Sequence, residues 1–221
     1  MIGDYIANAA LYAVPLLLGV ITHEVAHGWV AEKLGDPTAR LMGRITLNPL
    51  VHIDPIGTVL LPLTLLLVHS PFLFGWAKPV PVLFSNLRGG RRDMALVALS
   101  GPLTNFLMAA VSALVYHLIL TGFQQGWIPE QSALNRIAEP VFLMARISVT
   151  FNLVLTVINL LPVPPLDGGR IMMGLLPYSW ASRLEKLETY GMLIVLLLIG
   201  SGLWGYIVQP ILSVFLRLFL G

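Results

Sequence analysis

Five stretches of this 221-residue chain are too apolar to face water: Tyr5 to about Leu34, Ile56–Phe74, Met94–Leu120, Val141–Leu161 and Tyr190 to about Phe219. A helix needs about 20 consecutive apolar residues to cross the hydrocarbon core of a bilayer. In that solvent each backbone N–H and C=O must be satisfied within the protein, which leaves helices as the spanning structure. Composition agrees, with 57% hydrophobic and 11% charged residues, against about a quarter charged in a globular domain. The chain therefore reads as an all-α polytopic protein of the lipid bilayer, with about four spanning helices. Pro62, Pro71 and modest length turn 56–74 into a re-entrant or hairpin segment. Gly200, Gly202, Gly205 and Pro210 mark the last stretch for a kink or a split.

The net charge is only +2 and no long basic run exists, so nucleic acid is not a partner this sequence suits. With no cysteine, disulfides, thiolate metal sites and thiol nucleophiles are excluded. The polar connections are too short to fold alone, which predicts a single domain over 1–221. The first stretch lacks the basic start of a cleaved leader and reads as a retained helix.

Inside that first stretch stands Thr22-His23-Glu24-Val25-Ala26-His27. Burying ionisable groups in lipid is costly, roughly 2.5–3.5 kcal/mol for a charge at the centre of a span, so such a cluster marks function by default. His23 and His27 lie one turn apart on one helix face and can reach a common point. Glu24 sits beside that face, where it can take a proton from water at a metal. Two neutral imidazoles and a carboxylate, with a fourth position open, suit Zn2+, one per chain. The alternative is a pair of buried histidines satisfied by hydrogen bonds alone.

A third ligand must come from elsewhere. Most acids flank the apolar stretches or lie in polar connections, whereas Asp167 closes Asn159-Leu-Leu-Pro-Val-Pro-Pro-Leu-Asp167-Gly-Gly, directly after the fourth stretch. Its prolines break the helix and free backbone beside a polar cavity. An ordinary turn with Asp167 as a helix cap fits the same residues.

The two segments together resemble the site-2 protease family of intramembrane zinc metalloproteases, over residues 15–172. Ser100-Gly101-Pro102-Leu103-Thr104-Asn105 is similar to that family's small-residue segment. The resemblance implies His23, His27 and Asp167 as zinc ligands, Glu24 as catalytic base, and Asn159 as a group that binds the substrate carbonyl or its oxyanion. The chain departs from many relatives in showing neither a span before the HExxH helix nor a PDZ or CBS domain, and so reads as a minimal member.

Other residues carry weaker expectations. His52 either orients the metal site or, with Asp54, caps a turn at the membrane surface. Gly101, Ala109 and Ala110 allow close helix packing. Residues 39–46 and 78–84 read as short β-strands near the active site, so Arg40, Gly43, Pro79 and Val80 are candidate contacts to a substrate added as a strand. The expected function is regulated intramembrane proteolysis, with a membrane protein as substrate. The rival is a non-catalytic metal-binding protein or transporter, which should scatter polar residues over several spans. Lys33, Arg40, Arg44, Lys78, Arg88, Arg91 and Arg92 fall on one face if 56–74 does not cross. By the positive-inside rule the active site then faces the cytoplasm, in the cell (inner) membrane.

Overall fold

The computed structural model describes residues 2–68 and 75–221. In chain order its helices are α1 (Ile2–Leu34), α2 (Thr38–Leu41), α3 (Leu61–Leu67), α4 (Arg91–Gln124), α5 (Ala133–Asn159), α6 (Asp167–Leu175), α7 (Tyr178–Glu188), α8 (Gly191–Gly200) and α9 (Leu203–Leu220). Short 3₁₀ turns at Pro49–His52 and Phe84–Asn86 and a wider helical turn at Pro55–Leu60 complete the described elements.

Among the described residues three helices are long and apolar enough to cross a membrane: Ala10–Leu34 of α1, α4 and α5. The expectation of about four spans is corrected. The last apolar stretch divides where Gly202 takes φ +76, a left-handed conformation suited to glycine. The apolar part of α9, Gly205–Leu220, falls short of a span. Of the predicted re-entrant segment, residues 55–67 form helical turns and α3, while 69–74, with Pro71 and Phe74, lie outside the described residues.

The predicted β-strands are also corrected, since no strand occurs among the described residues. Residues 38–44 close local helical bonds instead: Leu41 N to Pro37 O, Met42 N to Thr38 O and Arg44 N to Ala39 O. Residues 77–83 are extended but unpaired with another strand. Pro79 and Pro81 carry no N–H, so a ladder along this segment would miss donors at alternate positions. Its remaining groups bond elsewhere. Lys78 N–H donates to His52 O, and Leu83 N–H to Asp36 Oδ2. Arg44, itself buried, donates through Nη2 to the carbonyls of Lys78 (2.7 Å) and Pro79 (3.3 Å).

Arg88 N–H donates to Leu34 O at 3.1 Å. The connection from 35 to 87 therefore leaves and rejoins the bundle at one end. Asp36, fully buried, fastens the same place by accepting from Thr38, Asn86 and Leu83. α1, α4 and α5 pack on one another. Ala109 and Ala113 of α4 meet Val149 and Leu153 of α5, and Phe215, Leu216 and Phe219 of α9 close over them. Without a hydrophobic force between helices in lipid, such small residues allow the close van der Waals contact that holds spans together.

Candidate metal centre

α1 runs unbroken through the HEVAH motif, so His23 and His27 stack one turn apart with their Nε2 atoms 3.0 Å from each other. The Pro-rich stretch after α5 turns the chain back, and α6 starts on Asp167 at the same end of the bundle. Asp167 Oδ2 lies 3.1 Å from His23 Nε2 and 3.3 Å from His27 Nε2. Among the described residues these three form the one cluster of metal-ligating side chains.

The outer ring nitrogens decide what the inner ones can do. His27 Nδ1 faces the main-chain carbonyl of Val97 at 2.8 Å, which only accepts, so this nitrogen carries the proton. His23 Nδ1 faces Asn105 Oδ1 at 2.6 Å. Asn105 uses its amino group on Gly19 O and Asn152 Oδ1, which leaves Oδ1 as the acceptor toward His23. The hydrogen-bond network thus assigns both neutral imidazoles the Nδ1–H tautomer. Both Nε2 lone pairs then point at one another and at a carboxylate. Asp167 Oδ2 is buried without a hydrogen-bond donor. A proton could satisfy one edge of this triangle, whereas a divalent cation satisfies all three. Zinc bonds of about 2.0–2.1 Å at tetrahedral angles put ligand atoms about 3.3–3.4 Å apart, close to the edges found. The donor set fits zinc.

Two glycines make room for the trio. A Cβ on Gly101 of α4 would stand 2.5 Å from His27 Nε2 and 2.6 Å from His23 Cε1. Gly101 therefore serves the imidazoles as much as helix packing. A Cβ on Gly168 would meet the carbonyl oxygens of Leu161 and Leu160 at 2.3 and 2.4 Å, so the turn presenting Asp167 closes only over glycine.

Residues 86–199 match the model of peptidase family M50. A Bacillus subtilis (strain 168) protein named as a candidate zinc metalloprotease, YwhC, is 36% identical over 200 residues, 90% of this chain and 84% of its own length. The chain belongs to peptidase family M50, the site-2 protease family. A Mycolicibacterium smegmatis protein, named as a candidate zinc metalloprotease, Rip2, is 26% identical over 198 residues, 89% of this chain and 69% of its own length. No solved structure matches. Membership makes this M50 chain a zinc metalloprotease, and its three long apolar helices make it a membrane protein.

The other expected site residues of this M50 chain are dispersed. Glu24, half-buried, follows His23 and accepts the Val80 backbone N–H on Oε2 at 2.7 Å. Asn159 ends α5 and turns its amino group back onto Leu155 O at 2.9 Å. His52 lies outside the trio; its Nε2 meets Thr46 O at 2.9 Å and its carbonyl holds Lys78. Arg40 is exposed and paired with Glu32, and nothing approaches within 4 Å of a Cβ built on Gly43. Pro79 contributes only its carbonyl, to Arg44.

Sequence reasoning gave four contributors no part in holding the site, although Asn105 stood in the small-residue segment and Val80 among the substrate contacts. Asn105 and Asn152 are polar side chains inside apolar stretches, and that cost was the signal available. The Val97 carbonyl and the Val80 amide are backbone groups, which no residue type announces.

Proposed function

We propose that this protein is an intramembrane endopeptidase that cleaves membrane-spanning segments of other proteins, with one zinc ion held by His23, His27 and Asp167. The observation that carries the reading is the buried triangle of two imidazoles and a carboxylate, with Glu24 beside it, in a helix apolar enough to cross a membrane. Bound zinc supplies Lewis acidity, making water a stronger acid and a peptide carbonyl a better electrophile.

The chain's own residues do the rest. Glu24 takes the proton of the attacking water and delivers it to the leaving amine. Val80 N–H holds one Glu24 oxygen, which leaves Oε1 to exchange that proton. Asn159 turns its amide toward the substrate carbonyl, which requires releasing Leu155 O. A helical substrate must unwind locally before its peptide bond is accessible. The extended residues 77–83, with Pro79 and Val80, suit a stretched substrate, and Arg40 and Gly43 at the facing connection are further contacts. The same-end return of residue 88 to Leu34 keeps the basic residues of 33–92 on one face, which supports an active site toward the cytoplasm in the cell membrane.

The test uses purified protein in proteoliposomes with a reporter-tagged membrane-spanning substrate. Cleavage should require zinc and disappear in Glu24→Gln, which keeps the metal because the ligands are untouched. Asn159→Ala should keep zinc and lose roughly 10²- to 10³-fold in kcat, as for a missing oxyanion donor. An active Glu24→Gln protein would end this reading.

A further inference from the structure

A ladder of buried amides links the seam of α4 and α5 to the metal centre. Asn105 and Asn152 are both 0% exposed within helices that span the membrane. An amide there has no water to fall back on, so each donor and acceptor needs a protein partner. Asn152 Nδ2 donates to Ser148 O at 2.9 Å and Ser148 Oγ at 3.1 Å. Asn152 Oδ1 accepts from Asn105 Nδ2 at 2.8 Å, and Asn105 Nδ2 also reaches Gly19 O at 2.9 Å. Asn105 Oδ1 is left against His23 Nδ1 at 2.6 Å. Ser112 Oγ donates to Ser148 Oγ at 2.8 Å and closes the far end.

The ladder has a direction. The carbonyls of Ser148 and Gly19 only accept, so neither end can reverse. Flipping either amide would set N–H against N–H or oxygen against oxygen, which is heavily penalised in a low-dielectric interior. The orientation imposed at Ser148 therefore propagates through Asn152 and Asn105 and arrives as an acceptor facing His23.

We propose that Asn105 and Asn152 are positioning residues that hold His23 in the Nδ1–H tautomer, so that its Nε2 lone pair is always presented to the metal. This rests on the reading of His23 as a zinc ligand. α1, α4 and α5 each contribute a rung, so the packing of the three spans and the metal affinity are coupled. Asn105 acts directly on the imidazole, and Asn152 acts only through Asn105.

The experiment measures zinc affinity by competition with a chelator for full-length protein in detergent, comparing wild type, Asn105→Leu, Asn152→Leu, Thr156→Val and His23→Ala. Thr156 is the control: it is buried in the same seam and donates to Asn152 O and Pro102 O, outside the ladder. Asn105→Leu should weaken zinc about 10- to 100-fold, as for lost partners of ligating histidines. Asn152→Leu should weaken it severalfold, and Thr156→Val should leave it unchanged. Co2+-loaded wild type should show two slowly exchanging imidazole N–H proton signals, and Asn105→Leu should lose the one from His23. If Asn105→Leu does not fold, Asn152→Leu and its cobalt spectrum decide. Wild-type affinity with both signals retained in the asparagine variants would overturn the proposal, as would an equal loss in Thr156→Val. Wild-type affinity in His23→Ala would instead overturn the ligand assignment beneath it.

Discussion

Val80 donates its backbone N–H to Glu24 Oε2 at 2.7 Å, joining an extended loop to the carboxylate beside the metal triangle. A hydrogen bond to a charged group contributes about 1.5–3 kcal/mol, and here it occupies one of the two Glu24 oxygens. Val80→Pro deletes this single donor in a segment already flanked by Pro79 and Pro81. We expect kcat/KM to fall about 10- to 100-fold at full zinc content, while Val80→Ala stays near wild type. Wild-type cleavage by Val80→Pro would show that the bond has no bearing on the reaction.

Gly101→Ala puts a methyl group 2.5 Å from His27 Nε2. Alanine favours a helix over glycine by about 1 kcal/mol, which offsets part of the roughly 1–3 kcal/mol cost of overpacking, so the zinc-free protein should melt only slightly lower than wild type. Zinc occupancy should nevertheless drop, and proteolysis with it by at least about 10²-fold, the scale of a 1 Å misplacement. Metal analysis beside a melting curve separates these effects. A fully loaded, active variant would mean that α4 yields around the imidazoles.

Asp36 gives a pH dependence with a definite sign. Burial pushes its carboxyl up, but hydrogen bonds from Thr38, Asn86 and the Leu83 N–H outweigh this and hold it below the usual carboxylate range. A group with a lowered folded pKa binds fewer protons folded than unfolded. Its contribution is complete above the unfolded value of about 3.9 and disappears as pH falls through the folded one. Asp36→Asn should cost about 1–3 kcal/mol near pH 6, and its gap to wild type should narrow below about pH 4. Unfolding in mixed micelles from pH 6 to 3 checks this; a constant gap would refute it.

The bond from Arg88 N–H to Leu34 O returns the 35–87 connection to the end of α1 from which it left. The chain has no native cysteine, and Arg40 and Ser85 are both exposed. Single cysteines at these positions should both react with an impermeant reagent from one side of sealed vesicles, the cytoplasmic side. Labelling from opposite sides would place a crossing between them and remove Asp167 from the histidines.

What the sequence determined by itself is what short-range geometry determines. The apolar runs demanded helices, because lipid offers no partner to a backbone group. The i, i+4 spacing of His23 and His27 put both imidazoles on one face whatever the rest of the chain does. The prolines before Asp167 ended α5 locally, although a helix cap remained an equal account of the aspartate until the packing of α6 on α4 brought it onto His23 and His27. The rest needed tertiary structure. Residues 39–46 and 78–84 had an extended pattern, but the first closed local helical bonds, and along the second Arg44, His52 and Asp36 took groups a partner strand would have used. The glycines of the last apolar run marked it for a kink or a split, and the tertiary structure decided that it divides at Gly202. The proton positions on His23 and His27 depend on Asn105 and the Val97 carbonyl, and the clearance beside the imidazoles on Gly101. These come from a distant helix, and only the packing of α4 against α1 brings them within a few ångströms.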